Sequence, residues 1–126
     1  MNISRVKLGV ESTKRLQMLK GRTGLTPNIL CRIALCYSLN DPQIPNAPVN
    51  DGSTGQEIAR HTLFGDYDHI YIALLKERCI VDSLDPEKDL VAALNAHLAR
   101  GIVGVFSRVK HISDLRNLIP NMGGAN

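Results

Sequence analysis

The chain contains a run of nine residues, Ile29 to Tyr37, in which only Arg32 is not apolar. Thr26 and Pro27 come just before it, in the order of a helix N-cap and a first helical residue, so the run predicts a helix. A helix that is apolar on nearly every side must be covered on every side. Two short partners within 126 residues can hardly do this. We therefore expect this helix to pack against a second copy of itself and the chain to form an oligomer.

The residues before this run predict a short strand and a first helix. From Ile3 to Leu8 apolar and polar residues alternate, which is the period of a strand. From Glu11 to Thr23 the period is helical, with Leu16 and Leu19 inward, and Gly24 suits a left-handed helix end. A strand, a helix, a short turn and a second helix are the order of a ribbon-helix-helix unit. There, two chains pair their N-terminal strands into a ribbon that can enter the major groove of DNA.

We expect one domain with a mainly α fold over residues 1–126. Its predicted parts are a basic strand-helix-helix unit (1–40), a loop with room for a short extended segment (41–65), a helical part (66–119) and a flexible tail (120–126). Helices are predicted in the helical part over residues 67–81, 85–100 and 113–120. Ile70 and Leu74 share one apolar side of the first, and Asp85 starts the second. Gly101 and Gly104 are expected to break or kink the chain after the second helix.

Basic residues are concentrated in the N-terminal third. Residues 1–40 hold seven lysines and arginines against one acid, Glu11, a balance of +6, whereas residues 41–126 hold eight basic and eleven acidic residues, a balance of −3. A basic segment joined to a mildly acidic body is typical of a surface that binds a polyanion. No uninterrupted apolar run of about 18 residues and no N-terminal secretion signal are present. We therefore expect a cytoplasmic protein without a membrane partner.

These features define a candidate DNA-binding set. Arg5 and Lys7 lie on the strand face opposite the apolar one, from which they could reach bases or phosphates. The N-terminus of the second helix would point its free N–H groups, with Thr26 and Asn28, at a phosphate. The full predicted set is Arg5, Lys7, Lys14, Arg15, Lys20, Arg22, Thr26 and Asn28.

Other phosphate-binding and cofactor sites are disfavoured. The stretch KGRTG lacks the spacing of a P-loop. Its GRTG matches the G-x-x-G of a KH domain, but a proline-rich loop follows where a KH strand should lie. The four histidines form no metal-binding pair and the three cysteines have no C-x-x-C spacing, so we expect neither a metal nor another cofactor.

Taken at length, the sequence resembles one family. SRVKLGVESTKRLQMLKGRTGLTPNILCRIALCYSLND strongly resembles the start of DndE proteins of the bacterial DNA phosphorothioation (DNA sulfur-modification) system, and GQEIARHTLFGDYDHIYIALLKER resembles their second block. The resemblance implies a non-catalytic subunit, homotetrameric and mainly helical, that binds duplex DNA and notably nicked duplex. It also implies that other subunits, a cysteine desulfurase, an iron–sulfur protein and an ATPase, supply the chemistry. No catalytic residues are carried over.

Three alternatives stay open. A ribbon-helix-helix repressor or antitoxin would bind one operator sequence. A strand-helix-helix corner could dimerise and bind nothing. A sulfur-carrier enzyme would need an exposed thiol of lowered pKa. For that role Cys31 is the best candidate, because Cys36 shares a helix face with Ile29 and Ile33 and is expected to be buried, while Cys79 could be partly exposed.

Overall fold

The structure, a computed structural model, describes residues 4–47 and 55–118 and is mainly helical, with 69% helix. The elements in chain order are β1 (Arg5–Lys7), α1 (Val10–Thr23), α2 (Pro27–Leu39), β2 (Glu57–Ala59), α3 (Arg60–Phe64), a 3-10 turn (Gly65–Tyr67), α4 (Asp68–Val81), α5 (Leu90–Arg108) and a last 3-10 turn (Ile112–Asn117). The predicted fold class, mainly α after a short N-terminal strand, is confirmed. The tail over residues 120–126 lies outside the described residues.

The first two helices form where the sequence predicts them, because their ends carry strong local signals. Gly24 adopts a φ of 78° and its backbone N–H donates to a carbonyl of the last turn, which ends α1. Pro27 then opens α2 after an extended Thr26. Leu16 and Leu19 are buried as expected.

The strand β1 pairs antiparallel with β2 of the same chain, with Val6 opposite Ile58. Both of these side chains are buried, whereas Arg5 and Lys7 on the other face of the strand are exposed. The predicted alternation is therefore confirmed. A ribbon-helix-helix unit would place a partner chain's strand beside β1. Here a strand of the same chain, β2, occupies one of its edges.

The core is built around the contact of α2 with α5. Gly101 lies against the backbone of Ala34 so closely that a Cβ there would overlap the Ala34 carbonyl, and a Cβ at Gly104 would overlap the ring of Tyr37. The prediction that these glycines break or kink the chain is wrong, because α5 runs unbroken through both. Their function is to let two helices approach closely, which depends on the partner helix and not on the local sequence.

The start of α5 also differs from the prediction. The helix begins at Leu90 and not at Asp85. The residues before Leu90 form turns, in which the Asp85 carboxylate accepts hydrogen bonds from the backbone N–H groups of Glu87 and Lys88. By length and composition α5 could cross a membrane, with a mean hydropathy of 1.4. Half of that stretch is buried inside the fold, as expected of a core helix.

Among the described residues, one side of α2 is fully covered. That side carries Leu30, Cys31, Ala34, Leu35 and Ser38, all buried. On the other side Ile33 and Tyr37 are half-buried and Cys36 is exposed. We expected that the short neighbouring elements of one chain could not bury a nearly all-apolar helix on every side, and the exposed side of α2 is consistent with this. The long helix α5, however, buries more of α2 than the sequence indicates.

The helix α4 likewise has two apolar sides. Ile72, Leu75 and Cys79 are buried. The side predicted from Ile70 and Leu74 is instead on the surface, with 47% and 46% of these residues exposed. A helical period alone cannot tell which of two apolar sides faces the core.

Candidate nucleic-acid interface

Two of the predicted DNA-binding residues lie on the outer face of the two-stranded sheet. Arg5 and Lys7 are exposed and flank the buried Val6. Lys7 lies directly opposite Glu57 in the register, so an acid on the same face reduces the positive potential around it. Arg5 lies opposite Ala59, which carries no charge.

Two lysines of α1 extend into solvent. Lys14 and Lys20 are both exposed. Lys14 pairs with Glu11 at 3.7 Å, but both side chains are about two-thirds exposed, so the ion pair holds the lysine only weakly. No acidic partner of Lys20 is found within the described ranges. Both ammonium groups are therefore available to an incoming anion.

The two arginines of α1 are instead drawn toward α5. Arg15 and Arg22 are seven residues apart, which places them on one face of the helix. The Nη1 of Arg22 donates to the carbonyl oxygens of Phe106 at 3.2 Å and Val109 at 3.3 Å. It thereby satisfies carbonyl groups at the C-terminus of α5, where a cation is also favoured by the helix dipole. Arg22 is thus partly a structural residue, which sequence reasoning did not indicate.

The polar side chains at the start of α2 form hydrogen bonds to other residues of the same chain. The hydroxyl of Thr26 hydrogen-bonds to Oδ1 of Asn28, and Nδ2 of Asn28 donates to the carbonyl oxygen of Thr62 at 3.2 Å. The Thr26 side chain makes no capping hydrogen bond to the backbone of its own helix. Nearby, the guanidinium of Arg32 donates to the carbonyl oxygens of Leu63 and Thr62. These contacts fasten α3 to α2.

Sequence reasoning missed the basic residues near the end of α5. Three cations surround the ring of Phe106: Arg22 at 4.4 Å, Lys110 at 5.4 Å and Arg15 at 5.9 Å from its centroid. Arg108 lies 5.5 Å from the ring centroid of Tyr37. The signal in the sequence is the stretch FSRVK, in which basic residues follow an aromatic one. The overall acidic balance of residues 41–126 concealed it.

The thiols lie differently from the prediction. Cys31 is fully buried, and burial raises its pKa to about 12. Cys79 is buried as well and its pKa is raised, first by that burial. Cys36 is the exposed thiol, with a pKa raised by partial burial and lowered in part by a hydrogen bond with Tyr71. The assignments were wrong because the face of α2 that carries Ile29 and Ile33 is not its core face.

An apolar surface extends over α2 and α4. Between α2 and the last 3-10 turn it forms a groove of about 660 Å³. Cys36 and Tyr71 continue it into a smaller depression on α4. We call the whole the α2–α4 surface; its apolar residues are Ile29, Ile33, Cys36, Tyr37, Tyr67, Ile70, Tyr71, Leu74, Leu115 and Leu118.

Within residues 4–47 and 55–118 no group of three or more histidine, cysteine, aspartate or glutamate side chains is placed to hold a metal ion. His97 is buried and its Nδ1 lies 2.8 Å from the hydroxyl of Ser38.

Comparison with known proteins identifies relatives of this fold. Residues 5–113 match the family described as DNA sulphur modification protein DndE. A crystal structure of DndE from Escherichia coli B7A, described as involved in DNA phosphorothioation modification, has a TM-score of 0.66 and 28% identity and covers 83% of this chain and 98% of its own. A DndE glycine-to-lysine double mutant has a TM-score of 0.61 and 24% identity, with 82% and 99% covered, which supports the fold alone. Among curated proteins no significant match is found.

Proposed function

Because the chain belongs to the DndE family, we propose that it is a non-catalytic, DNA-binding subunit of a bacterial DNA phosphorothioation system. In this proposal it binds duplex DNA, with a preference for a nicked duplex, and works in the cytoplasm beside the subunits that mobilise sulfur and hydrolyse ATP. The observation that carries the proposal is the set of exposed basic side chains on β1 and α1: Arg5, Lys7, Lys14 and Lys20.

The electrostatics of these four side chains favour a polyanion. Within the described part of the chain the acids beside them are Glu11, which lies 3.7 Å from Lys14 in a solvent-exposed pair, and Glu57, which lies opposite Lys7 in the strand register. Four cations beside two acids leave a net positive charge. Binding of lysines and arginines to phosphates releases counterions, and this release makes affinity depend steeply on salt. It requires no particular base sequence, as expected of a subunit that acts at many positions in a genome.

A second part of the proposal concerns assembly. The α2–α4 surface leaves large apolar side chains such as Ile70 and Leu74 on the outside of a single chain. Contiguous apolar patches of this kind are typical of protein interfaces. We propose that copies of the chain meet there in a homotetramer and that the basic faces of the copies together bind one stretch of DNA.

The ribbon-helix-helix repressor has weaker support. It needs β1 to pair with the same strand of a partner, and one edge of β1 is taken by β2. An operator-binding protein would also keep much of its specific affinity at moderate salt, because base contacts add to phosphate contacts.

The proposal can be tested in cells that carry the modification. Deletion of the gene should abolish phosphorothioates in genomic DNA, measured by mass spectrometry of digested DNA, and the native gene should restore them. A Lys14→Gln, Lys20→Gln double variant should fail to restore them, whereas Lys76→Gln, Lys88→Gln, which removes the same charge elsewhere, should succeed. Full modification with the first variant would contradict a role for this face in DNA binding.

A further inference from the structure

The cations around Phe106 come from distant parts of the chain. Arg15 and Arg22 belong to α1, and Lys110 follows α5. Their charged groups lie 5.9, 4.4 and 5.4 Å from the ring centroid. The ring face attracts each of them, because its quadrupole is negative there. One aromatic side chain thus gathers three positive charges into a single cluster, which we call the Phe106 cluster.

Many hydrogen-bond donors of this cluster make no bond to the described residues. Arg22 binds the end of α5 through Nη1, and its Nε and Nη2 make no hydrogen bond to the described residues. Lys110 has one long contact, 3.5 Å from Nζ to the carbonyl oxygen of Phe106. Arg15 makes no hydrogen bond within the same residues. Several N–H donors are therefore free on one small area.

The cluster also lacks an ion-pair partner in the described part of the chain. Two acids lie four residues from a member of the cluster. Glu11 precedes Arg15 on α1 and pairs with Lys14 at 3.7 Å. Asp114 follows Lys110 and accepts hydrogen bonds from the backbone N–H groups of Lys110 and His111 at 2.9 and 3.1 Å. These bonds keep its pKa low, and they direct its carboxylate at the backbone. Three cations that repel one another and face no carboxylate favour an external anion.

We propose that Arg15, Arg22 and Lys110 together bind one phosphodiester group of the DNA backbone. The inference rests on the proposed DNA-binding function and assigns a specific site to it. Arg22 is held in place by α5, so it presents a fixed donor edge, and guanidinium groups match the paired oxygens of a phosphate. Contacts to a phosphate set the position and orientation of a protein on a duplex. The cluster would thus orient α1 on the DNA, whereas Lys14 and Lys20 add affinity.

A salt series with a labelled duplex tests whether one phosphate is shared. The variants are Arg15→Gln, Arg22→Gln, Lys110→Gln and the combination of all three, each first shown to be folded, with Lys88→Gln as a control that removes one exposed charge elsewhere. For a single shared phosphate, the triple variant should lower the slope of log K against log salt by about 0.9, the value for one contact, because no cation of the cluster then remains to hold it. A loss of about 1.8 or more would mean two or more separate phosphates, and no loss beyond that of the control would mean no contact. Either result overturns the proposal.

A second measurement separates this site from the wider function. Inorganic phosphate is added to the native protein, with chloride at equal ionic strength as the control, and the arginine Nε–Hε signals are followed by NMR. We expect the signals of Arg15 and Arg22 to shift with phosphate, and to shift much less in Lys110→Gln. Absence of a shift, or an equal shift with chloride, refutes the site even if DNA binds. A phosphate-specific shift in a protein that binds no DNA keeps the site and refutes the DNA-binding function.

Discussion

The guanidinium of Arg22 lies over the ring of Phe106 and donates a hydrogen bond of 3.2 Å to the carbonyl oxygen of the same residue. One side chain on α1 therefore fastens the last turn of α5 by two different interactions. Since these residues are 84 positions apart, the contact closes the fold between its N-terminal and C-terminal parts.

This relationship predicts a stabilising role for Arg22. Arg22→Ala should lower the free energy of unfolding by about 1 to 3 kcal/mol, because it removes a cation–π contact and the two hydrogen bonds that Arg22 donates to carbonyl oxygens at the end of α5. Arg22→Lys should restore only part of the loss, since lysine keeps the charge but not the forked donors. Urea unfolding followed by circular dichroism measures both. Equal stability of Arg22→Ala and the native protein would show that the contact is not needed.

The close approach of α5 to α2 predicts that Gly101 cannot be replaced. Gly101→Ala should destabilise the protein by about 2 kcal/mol or more, because its Cβ would overlap the Ala34 backbone, which cannot move as a flexible side chain can. The matched control is Gly21→Ala on α1, where a Cβ meets no atom within 4 Å. There alanine should be neutral or stabilising by up to about 1 kcal/mol. In thermal unfolding, the midpoint temperature of Gly101→Ala should therefore fall, while that of Gly21→Ala should stay the same or rise. An unchanged midpoint for Gly101→Ala would contradict the described helix contact.

The buried His97 predicts a loss of stability in mild acid. Burial, and then the charges of Arg78 and Arg100, lower its pKa to about 4, while Asp82 and Asp41 oppose this shift more weakly. The unfolded chain takes up the proton near pH 6.5 and the folded chain does not. Stability from this residue is therefore complete above pH 6.5 and decreases as the pH falls toward 4, by roughly 2 to 3 kcal/mol in total.

Unfolding free energies measured between pH 4 and 8 test this prediction. His97→Gln should reduce the pH dependence in that window, although it also lowers stability at neutral pH because the Ser38 hydroxyl loses a partner. If the unfolding free energies of the native protein and the variant change in parallel with pH, the neutral state of His97 is not the cause of the loss of stability in acid.

The exposed apolar side chains of α4 predict which surface copies of the chain share. Leu74→Asp should reduce the mass measured by sedimentation to that of smaller species, because a buried carboxylate without a partner is costly in an interface. Ala92→Asp, at an exposed position of α5, introduces the same charge as a control and should leave the mass unchanged. The thiol of Cys36 should react faster with a thiol reagent in Leu74→Asp than in the native protein. Unchanged mass and reactivity would place the interface elsewhere.

Part of this architecture could be predicted from the sequence, because some signals are local. The left-handed Gly24 and the Thr26–Pro27 start determine the turn between α1 and α2 with no help from the rest of the fold. The role of Gly101 could not be predicted, since a glycine inside a helix means a kink or a close contact depending on a partner that is far away in sequence.

In the candidate site, too, some features follow from local sequence signals and others depend on residues far away in the chain. The exposure of Arg5, Lys7, Lys14 and Lys20 follows from strand and helix periods and is confirmed, whereas their binding to DNA stays a prediction. Arg22 belongs to the predicted set, but its contacts with α5 could not be predicted, and Lys110 was not included, because the surroundings of both residues are set by the end of α5. The side of α2 that carries Cys36 was assigned wrongly, since a helix with two apolar sides gives no local sign of which one becomes the core.

The measurement that tests the account most directly is binding of the native protein to one labelled duplex, intact and nicked, over a salt series. Two double variants are measured beside it, after each is shown to keep the native oligomer size. One is Lys14→Gln with Lys20→Gln, and the other is the matched control, Lys76→Gln with Lys88→Gln. The account predicts tighter binding to the nicked duplex and a steep salt slope that the first pair lowers by up to about 1.8 and the second leaves unchanged. An equal effect of the two pairs, or no binding by the native protein at low salt, would contradict it.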